Sequence, residues 1–366
     1  MKWMTFFSAI LVSLLMAIQA VAATEGRADE ELPLHAQRLS DRVLVTWVGD
    51  AMQTIKVVAL KTAKGIVVME TNLSRAADAR IRTTIEKEFG RKDFKYLINT
   101  HHHHDHVCGN QVYHEATIVG QRAIPEEMKK EITGEGLVKL IDKFKAMLPD
   151  WEGRRDRAAA DSRENRYFAE GILWLRTVIA ELQEGFKPAF PTLLFDKSLT
   201  LDMGDMTLEL YAVGGTHSSG DTMIFVPEEG LVMVGDMWPE QVLPYLRKEA
   251  PWDLELILEN WGRIVEGGRE IKHVTMAHSD IKLSVEAFKE QYRYLKTLWN
   301  GLSEMRRQGA AFEEAKKRYA IWRDFPFFKE KILKVRDVNI HENNIEAIWA
   351  KLPAAKEPGP VGPERP

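Results

Sequence analysis

Apolar positions early in the chain fall into short, β-branched runs separated by turns. Val43 to Trp47, Ile55 to Leu60 and Ile66 to Met69 read as strands, the last two joined by a turn at Lys61–Gly65. Ser74 is placed to cap a helix running to about Phe89, with Gly90 as its stop. The strand pattern returns at Phe94 to Ile98 and around Thr117 to Val119. From about Arg122 to Pro188 the period changes. Leu137, Leu140, Ile141, Phe144 and Leu148, then Phe168, Ile172, Leu175, Ile179 and Leu182, recur at helical spacing among charged residues. This predicts a helical insert at about 122–188.

Strands resume at Leu193–Phe195, Leu199–Leu201, Met206–Ala212 and Met223–Val226, and turns stand at 202–205 and 227–230. Leu231 to Val234 reads as a buried strand ending at Gly235-Asp236. A helix from about Asp253 to Glu266, a strand at His273–Met276 and two or more helices over Val285–Leu352 complete the pattern. The tail, 353–366, is rich in Pro and Gly and is expected to be disordered.

The N-terminus changes this picture. Met1-Lys2, an apolar run centred on Phe6 to Ala17 and the small residues Ala20–Ala23 form a signal-peptide pattern, with cleavage expected after Ala22. That leaves 366 − 22 = 344 residues, bound for a periplasm-like compartment. A retained anchor is the alternative, but the apolar run is short for a membrane span. No second long apolar run follows, so no stable membrane association is expected after cleavage. We expect a catalytic domain over 23–300 and a C-terminal helical extension over 301–352.

Net charge is −4 and no basic tract stands out, which excludes nucleic acid as the expected partner. A single cysteine, Cys108, excludes an intramolecular disulfide. It reads as a small buried residue. The sequence carries no code for an oligomeric state.

The chemistry concentrates at Thr100-His101-His102-His103-His104-Asp105-His106. Neutral imidazole and carboxylate are ligands for zinc and iron. The run follows a predicted strand, where a loop can serve a catalytic site. In an extended loop, His101 and His103 point the same way and can share one metal. Asp105 and His106 then turn to a neighbouring position. His217, Asp236 and His278 each stand where a later strand gives way to a loop. A histidine-rich metal trap is the simpler alternative for the first cluster alone.

This segment resembles the His-x-His-x-Asp-His signature of the metallo-β-lactamase superfamily. Gly215-Thr216-His217-Ser218-Ser219-Gly220-Asp221, Val234-Gly235-Asp236 and Met276-Ala277-His278-Ser279 resemble its remaining motifs, in order, over roughly Val43 to Ser284. The resemblance implies a four-layer αββα sandwich of two mixed sheets. It implies that His101, His103 and His217 hold one metal, that Asp105, His106 and His278 hold a second, and that Asp236 bridges them. It further implies two Zn²⁺ per chain, with iron or manganese as variants. A shared hydroxide would attack an ester, thioester, lactone or amide bond of a small-molecule substrate, and Asp105 would orient it.

Other readings belong to the same scaffold. A mononuclear iron oxidoreductase resembling a persulfide dioxygenase would use His101, His103, His217 and Asp236. A dedicated β-lactamase is disfavoured, because those enzymes usually carry Cys or Ser in place of the bridging Asp. A non-catalytic periplasmic metal-binding protein is the third rival. Three departures stand out: Glu70 occupies the place of a usual Asp that supports a ligand His, Cys108 stands where Gly is common, and His278 is followed by Ser279 where Gly is more usual. His102 and His104 read as exposed or supporting loop residues.

Overall fold

Alternation along the strands determines how the layers stack. The computed structural model describes residues 31–50, 54–248, 250–278, 282–335 and 337–353. The expected signal peptide (1–22) and residues 354–366 of the expected tail lie outside the described residues. One sheet holds β1 (Leu34–Arg38), β2 (Val43–Val48), β3 (Val57–Thr62), β4 (Gly65–Met69), β5 (Phe94–Ile98), β6 (Thr117–Gln121) and β7 (Leu193–Phe195), in that order. The first four strands are antiparallel, and β4 to β7 run parallel. The second sheet comprises β8 (Ser198–Asp202), β9 (Thr207–Ala212), β10 (Thr222–Val226), β11 (Leu231–Met233) and β12 (His273–Thr275), ordered β12-β11-β10-β9-β8. Its β11–β12 pair is parallel, so both sheets are mixed.

Odd and even positions of the strands serve different layers. Val58, Leu60, Val67 and Met69 of the first sheet meet Leu208, Leu210, Ile224 and Met233 of the second in one buried cluster. Val57, Ala59, Ile66 and Val68 face the other way, onto Ile81, Ile85 and Phe89 of helix α1 (Arg75–Phe89). The Ser74 side chain accepts from Ala77 N at 3.2 Å, and Gly90 takes φ 64°, so cap and stop stand as the pattern required. A short helix α2 (His104–Val107) follows β5. The predicted insert forms α3 (Ile124–Ile132), α4 (Gly134–Arg157) and α5 (Arg163–Gln183). These helices pack on Leu73, Val107 and Cys108.

The outer face of the second sheet is covered by α6 (Leu254–Val265) and α7 (Val285–Arg307), with Trp261 and Phe288 fully buried against Phe225 and Val232. Helices α8 (Phe312–Arg318) and α9 (Ile321–Asp324) follow, and then α10 (Ile340–Lys351), which joins the same cluster. Helix, sheet, sheet and helix make the expected αββα sandwich. Among the described residues no helix is long and apolar enough to cross a membrane.

Three details differ from the sequence pattern. The edge strand β1 is missing from it, because His35, Gln37 and Arg38 dilute the apolar signal. The third strand begins at Val57 rather than Ile55, because Ile55 pairs with His278 beyond the second sheet and Lys56 N donates to Ala277 O at 2.6 Å. The C-terminal segment also carries a small hairpin, β13 (Lys334–Val335) with β14 (Val338–Asn339), where only helices are expected.

Leu208 is fully buried between the sheets. Leu208→Ala is expected to lose about 2–5 kcal/mol of stability, read as a lower urea midpoint. A midpoint matching the wild type would show that the two sheets do not share this core.

Candidate metal centre

Parallel pairing brings the strand ends to one rim. Met233 of β11 stands beside Thr275 of β12, and Asp236 and His278 each follow three residues later. Met69 of β4 stands beside Ile98 of β5, so Glu70 and the histidine run leave side by side. Gly235 makes the crossing between the sheets possible. It takes φ +57°, and a Cβ there would stand 2.5 Å from Thr100 Oγ1.

The seven expected ligands come together. His101 Nε2 and His217 Nε2 lie 3.1 and 3.0 Å from His103 Nδ1. Asp105 Oδ2 lies 3.5 Å from His106 Nε2 and 3.6 Å from His278 Nε2. Each triad is close enough to hold one ion. Asp236 stands between the triads. Its Oδ2 lies 3.0 Å from His278, 3.4 Å from His106, 3.7 Å from His217 and 3.8 Å from His101. A tetrahedral zinc ion with bonds of about 2.0–2.1 Å separates its ligand atoms by about 3.3–3.4 Å. The separations here bracket that value. His106 Nε2 and Asp236 Oδ1 are buried without a hydrogen-bond partner, so a cation could be held there.

The alternation rule holds for His101 and His103 but not beyond. Asp105 and His106 lie on the helical turn α2, which begins at His104. Their direction toward the second position comes from that turn.

Electrostatics act in opposite directions on the donors. Burial, aided by His106, holds His101 well below the usual imidazole range. Burial and the neighbouring His217 and His102 push His103 down to about 4. Both rings thus keep a free lone pair at neutral pH. Burial opposes a charge on His106, but Asp105, Asp236 and Glu70 outweigh it and raise its pKa well above the usual value. Burial would also raise Asp236, yet His106, His278 and His101 hold it well below the usual carboxylate range.

Glu70 supports His106 despite its extra methylene. It is fully buried and takes φ 72°, the one positive φ outside glycine among the described residues. Its Oε2 accepts from His106 Nδ1 at 2.6 Å and its Oε1 from Thr100 N at 2.6 Å. Both oxygens are thereby used, so Glu70 serves as a support for a ligand rather than as a ligand. The His106 carbonyl is held in turn by Thr71, through N at 3.3 Å and Oγ1 at 2.8 Å.

Sequence reasoning gave two residues no role. Asp221 organises the His217 loop: its carboxylate accepts from Thr216 Oγ1 at 2.7 Å, His217 N at 2.6 Å and Ser218 Oγ at 2.5 Å. The turn residues Ser218-Ser219-Gly220 before it are the signal that could have marked it. Glu131 of α3 pairs with His104 Nδ1 at 2.5 Å, and Phe144 of α4 meets that ring edge to face with centroids 5.6 Å apart. His104 therefore ties the ligand loop to the insert. Cys108 is buried, and burial pushes its thiol pKa well up. A cavity of about 620 Å³ opens beside Asp236 and His217, walled by Met237, Trp238 and Tyr245 among others. Trp238 contributes little exposed surface, because its ring packs parallel to Trp261.

The comparisons agree with this geometry. The Metallo-beta-lactamase superfamily profile matches residues 74–291. The chain belongs to the metallo-β-lactamase superfamily. Among solved structures, the stereoselective inverting sec-alkylsulfatase Pisa1 from Pseudomonas sp. is similar at TM-score 0.52 and 12% identity, over 92% of this chain and 52% of that one. A double mutant of the same enzyme gives TM-score 0.53 at 12% identity, over 87% and 50%. A metallo-β-lactamase from Pontibacter korlensis aligns with TM-score 0.44 and 14% identity, over 72% and 99%. The chain spans about half the length of the alkylsulfatase it matches. No curated protein matches it. The fold is that of metal-dependent hydrolases.

Glu70→Gln places an amide where His106 needs an acceptor. It is expected to weaken divalent-cation binding by about 10–100-fold with the fold retained, measured by competition with a coloured chelator. Unchanged affinity would remove Glu70 from the support of His106.

Proposed function

We propose that this protein is a dinuclear zinc hydrolase that cleaves an ester, thioester, lactone or amide bond in a small molecule. One observation carries the reading: a single carboxylate oxygen, Asp236 Oδ2, stands between two complete donor triads. His101, His103 and His217 would hold one cation, Asp105, His106 and His278 the other, and Asp236 both. The imidazole and carboxylate donors suit zinc, and they accept iron or manganese. Bound there, a pair of divalent cations supplies Lewis acidity and a water of lowered pKa.

The chain's own residues supply the rest. Asp105 is the more open of the two carboxylates, its side chain 30% exposed against 10% for Asp236. Its Oδ2 faces His106 and His278. That leaves Oδ1 to align the attacking water and to take its proton. Glu70 holds the His106 ring in one orientation through Nδ1. Asp221 and the His104–Glu131 pair fix the two loops that carry ligands. No Ser or Cys nucleophile is required, and the buried thiol of Cys108 is unsuited to the task. The apolar run at Phe6 to Ala17 supports export to a periplasm-like compartment, where substrate would be met.

Protein purified without added metal is expected to carry about two ions per chain. Hydrolysis of an ester, thioester or lactone panel should stop on chelation and return with zinc. Asp236→Ala and His103→Ala should each lose both metal loading and turnover. Full metal content with full activity in these variants would overturn the site. One iron per chain with thiol-dependent oxygen uptake would overturn the reaction.

A further inference from the structure

We propose that the cavity beside Asp236 selects substrates whose non-reacting end carries an anionic group, a carboxylate in the simplest case, and that Arg247 is the residue that recognises it. The reacting end of such a substrate rests on the hydrolase reading above; the anion site does not.

The argument starts from one segment. Residues 236–247 leave the site at Asp236 and return along the same cavity, so a ligand residue and a guanidinium share one wall. Between them the wall is largely apolar, with Met237, Trp238, Val242 and Tyr245. Val338 of the C-terminal hairpin also lines the cavity. Its volume of about 620 Å³ suits a small organic molecule.

The segment is held rigidly. Trp238 Nε1 donates to Tyr245 O at 3.2 Å, and Gln291 Nε2 donates to Trp238 O at 3.0 Å. Asn344 Oδ1 accepts from Leu246 N at 2.9 Å, and Asn343 Nδ2 donates to Leu246 O at 2.7 Å. Trp252 Nε1 donates to Arg247 O at 2.8 Å. The root of Arg247 is thus fixed on both sides, while its side chain is exposed at the cavity. Among the described residues no carboxylate lies within ion-pair distance of its guanidinium, whereas its neighbour Lys248 is paired with Glu346. A guanidinium anchored at its root, with an apolar stretch of wall between it and Asp236, matches a planar anion, which it can grip through two parallel hydrogen bonds.

A matched pair of stable amides tests this without turnover. Glutaric acid monoanilide carries a carboxylate, and pentananilide is its neutral counterpart. Binding of each to metal-free protein is read by tryptophan fluorescence. The charged anilide is expected to bind about tenfold more tightly, and that ratio should fall to within about twofold of unity in Arg247→Ala, with Arg247→Lys in between. Equal binding of the two anilides by the wild type, or a ratio that survives in Arg247→Ala, overturns the proposal. Melting curves confirm that the variants are folded. The matching pair of 4-nitrophenyl esters is then offered to metal-loaded protein. Failure to cleave either ester counts against the hydrolase reading and leaves the anilide ratio standing. Cleavage of both with no anilide preference does the reverse.

Discussion

The mutual dependence of Asp236 and the imidazoles around it constrains everything else. A carboxylate with its side chain 10% exposed stays charged only because nearby groups offset the loss of water. Those groups are His106, His278 and His101, delivered by two separate strand ends. Removing them would leave an uncompensated buried charge, which is costlier than never burying it. The two sheets must therefore meet at one angle and one height. The Gly235 contact with Thr100 and the pairing of Ile55 with His278 are where that height is set.

Much of this was legible in the sequence, for physical reasons that can be named. Strands buried on both faces read as continuous apolar runs, as Val57–Leu60 and Ile66–Met69 do. The seven candidate residues that come together could be picked out because metal chemistry restricts residue type and strand ends restrict position. What escaped depends on backbone geometry or on distant partners. No pattern announces that Glu70 adopts φ 72°, and that turn is part of how a longer side chain reaches His106 and Thr100 together. Nor does spacing reveal that His104 meets Glu131, 27 residues away on an inserted helix. The expected disorder of the tail and the N-terminal processing concern residues outside those described.

The two segments that lie outside the strand framework act on different sides of the site. The insert reaches the ligand loop through His104 and packs beneath it at Val107 and Cys108. It therefore bears on how firmly the donors are held. The C-terminal helix instead grips the loop after Asp236 through Asn343 and Asn344, whose buried amides fix the backbone at Leu246. It bears on the shape of the cavity. Changes in one segment should thus be separable from changes in the other, since the insert meets the ligand loop at His104 and the C-terminal helix meets the loop after Asp236 at Leu246.

The origin of the donors has one more consequence. His101, His103, Asp105 and His106 leave the first sheet, while His217, Asp236 and His278 leave the second. Each triad draws on both. Ions held there would join the halves of the molecule as covalent cross-links do, in a chain whose lone cysteine can form none within itself. Catalytic cofactor and structural staple would then be the same object. Losing metal would relax the sandwich at its open edge as well as silence its chemistry.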